Sequence, residues 1–306
     1  MDTITPADIA AAADRTAGRV RRTPVLRVGP DLWLKLEFLQ HTGTFKARGA
    51  FNRQLVARER GELDATRGVV AASGGNAGLA HAFAAAELGV PATVFVPESA
   101  PAVKVRKLRG LGADVRQVGS EYVRAYEAAV AFAQDRGAVF CHAYDQPEVA
   151  AGAGTLAVEL LEDVPDVDTV LVAVGGGGLF AGVAAALEGS ARVVAVEPVG
   201  APTLHDALAA GEPVDVAVSG VAADSLGARR IGSIGFDVAR RTRPVSLLVG
   251  DEQIAAARRD LWSRFRVVAE HGAAAAWAGL EAYRPAAGER VAVVVCGANT
   301  DPSDLH

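Results

Sequence analysis

The 306-residue sequence predicts an α/β protein of two open, mostly parallel lobes. Two observations carry this. Short apolar runs of strand length alternate with alanine-rich stretches of helical length, the βα repetition that builds parallel sheets. The alternation falls into two sets, one on either side of about residue 145, and each set has a glycine-rich turn between a strand and a helix. Half of the residues are hydrophobic and 33 are glycine, a composition suited to helices packed tightly on a sheet, in a chain long enough for one large or two medium domains.

In chain order, residues 68–72 read as a strand that runs into Ser73-Gly74-Gly75-Asn76, and 77–88 as an alanine-rich helix. Strand-like 92–97, helical 103–111, strand-like 114–118, helical 121–136 and strand-like 138–141 follow. The second set has a strand at 169–174, the turn Gly175-Gly176-Gly177-Gly178, a helix at 179–187 and a strand at 192–196. A last strand at 290–295 leads into Cys296-Gly297-Ala298-Asn299. Residues 1–67 and 146–306 are expected to form a large lobe and 68–145 a small one, with a cleft between them.

The net charge of −5 comes from 31 basic and 36 acidic residues that are interspersed, which speaks against a nucleic-acid or membrane surface. The basic stretch 104–109 reads as the solvated face of a helix. The start, Met1-Asp2-Thr3-Ile4-Thr5-Pro6, lacks the pattern of a signal peptide, and no apolar run is long enough to span a bilayer. The only cysteines are Cys141 and Cys296. Two free thiols in a reducing cytoplasm is the preferred reading over one long-range disulfide. The six histidines show no metal-ligand spacing, and no G-x-S-x-G is present. Glu37 and Asp224 stay open between surface charges and cation ligands.

Four segments can carry chemistry. Lys46 sits in Thr42-Gly43-Thr44-Phe45-Lys46-Ala47-Arg48-Gly49-Ala50, among small and apolar residues. Desolvation there would lower the amine's pKa and make it a nucleophile or Schiff-base partner; the alternative is a loop lysine with its head in water. The run Gly175, Gly176, Gly177, Gly178 between strand and helix suits a phosphate, because glycines let backbone N–H groups approach an anion at a helix N-terminus. A plain tight turn is the bland alternative. A dinucleotide is the competing guest, since Gly176, Gly178 and Ala181 fit G-x-G-x-x-A and Glu197 follows Gly178 by 19 residues. Ser73, Gly74, Gly75, Asn76 and Ala77 form a second such turn, suited to a carboxylate or simply to helix capping. Cys296 ends the last strand at the edge where α/β sheets bind ligands, or is a buried structural thiol.

Taken together the segments resemble the serine/threonine dehydratases, pyridoxal-phosphate enzymes of fold type II with a tryptophan-synthase β-like fold. Thr23-Pro24-Val25, Leu34-Lys35-Leu36-Glu37 and Gly43-Thr44-Phe45-Lys46-Ala47-Arg48-Gly49-Ala50 are similar to that family's N-terminal signature, and the similarity extends to Asn299. The resemblance implies pyridoxal 5′-phosphate in the cleft between the lobes. Lys46 would be its covalent anchor and the acid/base, Phe45 would pack beside its ring, and Asn76 would bond its 3′ oxygen. Gly175, Gly176, Gly177, Gly178 and Leu179 would cradle the phosphate. Cys296 would face the pyridine nitrogen, where a thiol does not keep the ring protonated. Ser73, Gly74, Gly75, Asn76 and Ala77 would hold the substrate carboxylate. The reaction implied is β-elimination on L-threonine or L-serine to a 2-keto acid and ammonia. Other fold type II chemistry, such as a 3-hydroxyaspartate dehydratase or a β-replacement synthase, is the nearest alternative. A dehydrogenase or a non-catalytic amino-acid sensor is more distant.

Two departures from the family's patterns shape these expectations. The family's racemases carry a second serine where this sequence has Gly74, so racemisation is not expected. The biosynthetic threonine dehydratases carry a C-terminal regulatory domain, which a sequence stopping at His306 is expected to lack. The family also implies a homodimer and a monovalent or divalent cation near residues 197–224, whose ligands do not map onto an acidic pattern here.

Overall fold

The computed structural model describes residues 3–305; Met1, Asp2 and His306, which the expected lobe boundaries include, lie outside the described residues. The chain opens with α1 (Pro6–Thr16), begun by a capping box in which the Thr5 hydroxyl accepts from the Asp8 N–H while the Asp8 carboxylate accepts from the Thr5 N–H. The strands β1 (Val25–Gly29) and β2 (Leu32–Lys35) form an antiparallel hairpin about Pro30 and Asp31, and α2 (Lys46–Glu59) follows.

The small sheet comes next. Its elements are β3 (Val69–Ala72), α3 (Asn76–Glu87), β4 (Ala92–Val96), α4 (Ala102–Gly110), β5 (Asp114–Gln117), α5 (Tyr122–Arg136) and β6 (Val139–Cys141). The four strands are all parallel, in the order β5-β4-β3-β6. Alternate residues of β3 serve opposite faces: Val69 and Ala71 join the cluster under α3 and α4, while Val70 and Ala72 meet the alanines of α5. The basic stretch lies on α4, which buries only Val105 and Leu108.

The rest of the chain builds the large sheet. It comprises α6 (Pro147–Asp163), β7 (Thr169–Ala173), α7 (Gly178–Ala186), β8 (Arg192–Pro198), α8 (Thr203–Ala210), α9 (Ser233–Thr242), β9 (Val245–Val249), α10 (Asp251–Phe265), α11 (His271–Tyr283) and β10 (Val291–Val294). Its order is β1-β2-β10-β7-β8-β9, parallel except for β1. β7 and β10 are buried along their whole length, the mark of a parallel strand covered on both faces, which is why they read as unbroken apolar runs. Each fully buried valine or leucine there contributes roughly 1.5–3 kcal/mol. Among the described residues no helix is long and apolar enough to cross a membrane.

Between the two sheets lies α2, packed on α3 and α6, and beneath its first turn is a buried charge cluster. Lys35, Glu37 and Arg48 are fully buried. Arg48 grips Glu37 through Nε and Nη2, both at 2.8 Å, and Glu159 through Nη1 at 2.7 Å and Nη2 at 2.8 Å. Lys35 Nζ donates to Glu159 at 2.7 Å and to the Thr23 carbonyl at 2.8 Å, and the Thr23 hydroxyl bonds Glu37. Glu37 is therefore a structural ion-pair partner rather than a surface charge or cation ligand.

Candidate active site

Three parallel strands point their C-terminal ends at one cleft, the edge at which open α/β sheets bind ligands. β3 ends in Ser73-Gly74-Gly75, β7 in Gly175-Gly176-Gly177, and β10 in Val295-Cys296-Gly297. The segment ahead of α2 is laced to the last of these. Thr44 bridges Gly297, the Phe45 N–H donates to the Cys296 carbonyl at 3.0 Å, and the Ala298 N–H donates to the Gly43 carbonyl at 3.0 Å. Lys46 is thereby set as the first residue of α2, half-buried at the floor of the cleft.

The Lys46 amine lies 4.9 Å from the centre of the Phe45 ring and donates to the Ala143 carbonyl at 2.9 Å. Burial pulls it down to about 8, against an upward pull from Glu270. Such an amine has a substantial neutral fraction near neutral pH, as a nucleophile requires. Cys296 is buried, and burial pushes its thiol far above the ordinary range, so it stays a neutral S–H.

At the β7–α7 turn, Gly177 has φ +90°, a conformation that only glycine adopts readily. The loop is held from behind by its carbonyls: Gly175 O lies 2.6 Å from the Thr203 hydroxyl, and Gly176 O accepts from the Gly232 N–H at 3.0 Å. Among the described residues, no acceptor meets the N–H groups of Gly176, Gly177, Gly178 and Leu179, although the last three residues are buried. Buried backbone donors without partners are rare, and converging ones at a helix N-terminus suit an anion. With the desolvated amine and the neutral thiol, this cradle fits pyridoxal phosphate. Gly177→Asp would force a side chain into positive φ, 2.5 Å from Ile231, and set a carboxylate against a dianion. Its affinity for pyridoxal phosphate, titrated by absorbance, is expected to fall at least about tenfold, the equivalent of ~1–2 kcal/mol of left-handed strain alone.

The β3–α3 turn has the same character. The Ser73 hydroxyl accepts from the Gly75 N–H at 3.3 Å, while the N–H groups of Gly74, Asn76 and Ala77 meet no described acceptor. The Asn76 side chain donates to both oxygens of Glu270, at 3.0 and 3.1 Å, and accepts from Asn299 at 2.8 Å. Asn299 also donates to the Thr42 carbonyl at 2.9 Å. Glu270 escapes a reading of the sequence alone. It is buried, its carboxyl is pushed up by that burial and held back by Asn76, and its one sequence signal is a lone acidic residue just ahead of α11.

Two other acidic residues find their places. Glu197 caps α8, accepting from the N–H groups of Leu204 at 2.7 Å and His205 at 2.8 Å, with the Thr203 hydroxyl 3.0 Å away. Both oxygens are thus engaged, which removes the ribose partner that the dinucleotide reading needs. Burial pushes this carboxyl up to about 7. Exposed Asp224 pairs with Lys104 of α4 across the mouth of the cleft. Among the described residues no cluster of three or more His, Cys, Asp or Glu could hold a metal ion.

The profile of the family described as "Pyridoxal-phosphate dependent enzyme" matches residues 17–297. The chain belongs to that family. This pyridoxal-phosphate dependent enzyme is 38% identical over 276 residues to an L-threonine ammonia-lyase of Thermotoga maritima, a match covering 89% of this chain and 68% of that one. Its fold is similar to that of a serine racemase from Dictyostelium discoideum, with a TM-score of 0.89 and 31% identity over 97% of this chain and 99% of the other. It is also similar to the processed form of threonine deaminase isoform 2 from Solanum lycopersicum, with a TM-score of 0.88 and 30% identity over 98% of this chain and 85% of the other. The two-lobed α/β architecture expected from the sequence is the fold type II architecture of these pyridoxal-phosphate enzymes.

Proposed function

We propose that the protein is an ammonia-lyase that removes the β-hydroxyl and the amino group of L-threonine or L-serine, releasing a 2-keto acid and ammonia. The observation that carries this reading is the Lys46 amine, pulled down to about 8 and held beside a neutral Cys296 thiol. When bound, pyridoxal phosphate supplies an electron sink for the pair left at the substrate's α-carbon. The backbone donors of Gly176, Gly177, Gly178 and Leu179 would take its phosphate, Lys46 would be its covalent anchor, Phe45 would pack beside its ring and Asn76 would meet its 3′ oxygen. Cys296, a neutral S–H, would face the ring nitrogen without holding it protonated, which suits an elimination in which hydroxide departs as the proton is lost. The N–H groups of the Ser73, Gly74, Gly75, Asn76 and Ala77 turn hold the substrate carboxylate. Lys46 Nζ takes the α-proton. The similarity to the L-threonine ammonia-lyase and the threonine deaminase supports a small hydroxyamino acid as the substrate.

The finer picture is of a homodimer working in the cytosol, where the buried, unpaired thiols of Cys141 and Cys296 stay reduced. A monovalent or divalent cation near residues 197–224 remains part of this proposal, although Glu197 is already engaged by α8. The test is direct. Purified protein supplied with pyridoxal phosphate should convert L-threonine or L-serine to keto acid and ammonia in a coupled assay. Borohydride should fix the cofactor on the peptide that holds Lys46. Absence of keto acid from both substrates, or a label on another lysine, would overturn the reading.

The serine racemase likeness raises a sharper question, which Gly74 answers. A racemase needs acid/base groups on both faces of the α-carbon, and Lys46 serves one. Gly74 has no side chain for the other. The unmodified protein is therefore expected to form negligible D-serine from L-serine. A Cβ at Gly74 would sit 3.4 Å from Val96, an ordinary contact, so Gly74→Ser should fold and raise D-serine formation several-fold. Chiral chromatography reads both outcomes.

A further inference from the structure

The five residues between β6 and α6 touch Lys46, the phosphate cradle and the helix behind it, and neither the sequence motifs nor the proposed reaction accounts for them. The Ala143 carbonyl accepts from the Lys46 amine at 2.9 Å. The Tyr144 ring lies against the glycine turn, so near that a Cβ on Gly176 would come within 2.4 Å of it, and one on Gly178 within 2.7 Å of the Tyr144 carbonyl oxygen. The Tyr144 hydroxyl donates to the Arg230 carbonyl at 3.4 Å. The Asp145 carboxylate accepts from the N–H groups of Ser233 at 3.0 Å and Ile234 at 3.1 Å, capping α9. One short turn thus joins the lysine, the phosphate cradle and the helix behind that cradle.

What shapes the turn is His142. Its Nδ1 accepts two successive backbone N–H groups, from Tyr144 at 3.2 Å and from Asp145 at 2.9 Å. This is the bonding of an Asx turn, in which an asparagine or aspartate oxygen accepts from the residues two and three positions on, performed here by an imidazole nitrogen. It requires a lone pair on Nδ1 and therefore the neutral ring protonated at Nε2. The ring stands edge-on to Tyr144, at 4.7 Å and 80°, and to Tyr126 of α5, at 5.9 Å and 81°. The backbone is fastened on the other side, where the His142 N–H donates to Gln146 Oε1 at 2.8 Å and Gln146 Nε2 donates to the Phe140 carbonyl at 3.2 Å.

We propose that His142 is a positioning residue, an Asx-turn mimic that holds the turn in the shape presenting the Ala143 carbonyl to Lys46 and the Tyr144 ring to the phosphate cradle. The groups around it keep the ring neutral. Burial lowers its affinity for a proton, Lys46 of α2 opposes a second positive charge, and only Asp145 favours one. His81 of α3, also coupled to it, is buried and pushed down to about 3, and so adds no charge. The inference rests on Lys46 being the reacting amine, and the test separates the two ideas.

Two substitutions and two readouts decide it. His142→Leu keeps bulk and removes the acceptor; His142→Asn restores an acceptor that reaches the same two N–H groups. The first readout is the pH at which Lys46 is half-maximally acylated in cofactor-free protein, followed by mass spectrometry of its peptide. The second is kcat and KM of the loaded enzyme. In the leucine protein the acylation midpoint is expected to fall below that of the unmodified protein, because the amine loses the Ala143 carbonyl that favours its charged form while burial still opposes that form. Its kcat should fall about tenfold or more, on the sensitivity of catalysis to small misplacements. The asparagine protein should keep the original midpoint and a rate within about threefold of the original. A leucine protein with an unshifted midpoint overturns the inference, and so does an asparagine protein as impaired as the leucine one. If the leucine protein does not fold, the asparagine protein decides alone, because it must keep both the original midpoint and the rate. Normal turnover by a Lys46→Ala protein would instead remove the reading of Lys46, while the acylation comparison still reports on His142.

Discussion

A Lys46→Ala protein is expected to release no 2-keto acid above background while folding as the unmodified protein does. Loss of proton transfer alone should cost ~10²–10⁴-fold in rate, and loss of the cofactor's covalent anchor adds to that. The fold should survive for local reasons. Lys46 is the first residue of α2, alanine is the best helix former, and the one hydrogen bond lost is to the Ala143 carbonyl at the cleft surface. The measurement pairs a keto-acid assay with a thermal melt and with the visible absorbance that a lysine-bound cofactor would give. Turnover within about tenfold of the original, with the melt unchanged, would refute the assignment of Lys46.

The second large effect is on stability. Arg48→Met should destabilise the fold by roughly 3–5 kcal/mol, because it strands Glu37 as a buried carboxylate left with only the Thr23 hydroxyl and leaves Glu159 with Lys35 alone of its two cations. Urea denaturation reads the loss directly. Its pH dependence gives a further check. In the unmodified protein, burial alone would raise Glu159, but Arg48 and Lys35 more than offset it and hold its carboxyl below the ordinary value. A carboxyl depressed in the folded state contributes stability that is present above its unfolded pKa and lost as pH falls through the folded one. Without Arg48 most of that contribution is already gone, so acidification costs the variant less than the unmodified protein. The gap between the two proteins should therefore narrow on acidification toward pH 4. A gap that widens there, or one under about 1 kcal/mol at pH 7, would show that the cluster does not behave as a buried ion network.

How much of this was legible in the sequence depended on distance along the chain. The parallel strands were visible because strands covered on both faces are continuous apolar runs, and β3, β4, β7, β8 and β10 lie within a residue or two of where those runs predict them. The β1–β2 hairpin was not, because its strands are short and β1 is largely uncovered, so no alternation marks them. Lys46, the glycine turns and Cys296 stood out as local strings. Glu270 did not, since its partner Asn76 is 194 positions away, and nothing near Glu270 distinguishes it from a surface carboxylate. His142, Tyr144 and Asp145 were missed similarly: they form an ordinary-looking turn whose importance lies in what the fold brings to it. The charge cluster shows the same limit, because the residues of the N-terminal motif that anchor it are completed by Glu159, more than a hundred positions on.

The lacing of Thr44 to Gly297 has a consequence for the chain as it is made. Synthesis runs from the N-terminus, and β10, the last strand, does not add to an edge: it inserts between β2 and β7, in the middle of the sheet. Until it arrives, the segment that carries Lys46 lacks Cys296 and Gly297 as neighbours, and the cleft floor stays wet. A hydrated lysine is almost wholly protonated at neutral pH and a poor nucleophile. The burial that lowers the amine's pKa is therefore completed only when the final strand closes the sheet, so the nucleophile is armed last, by the same event that finishes the cleft.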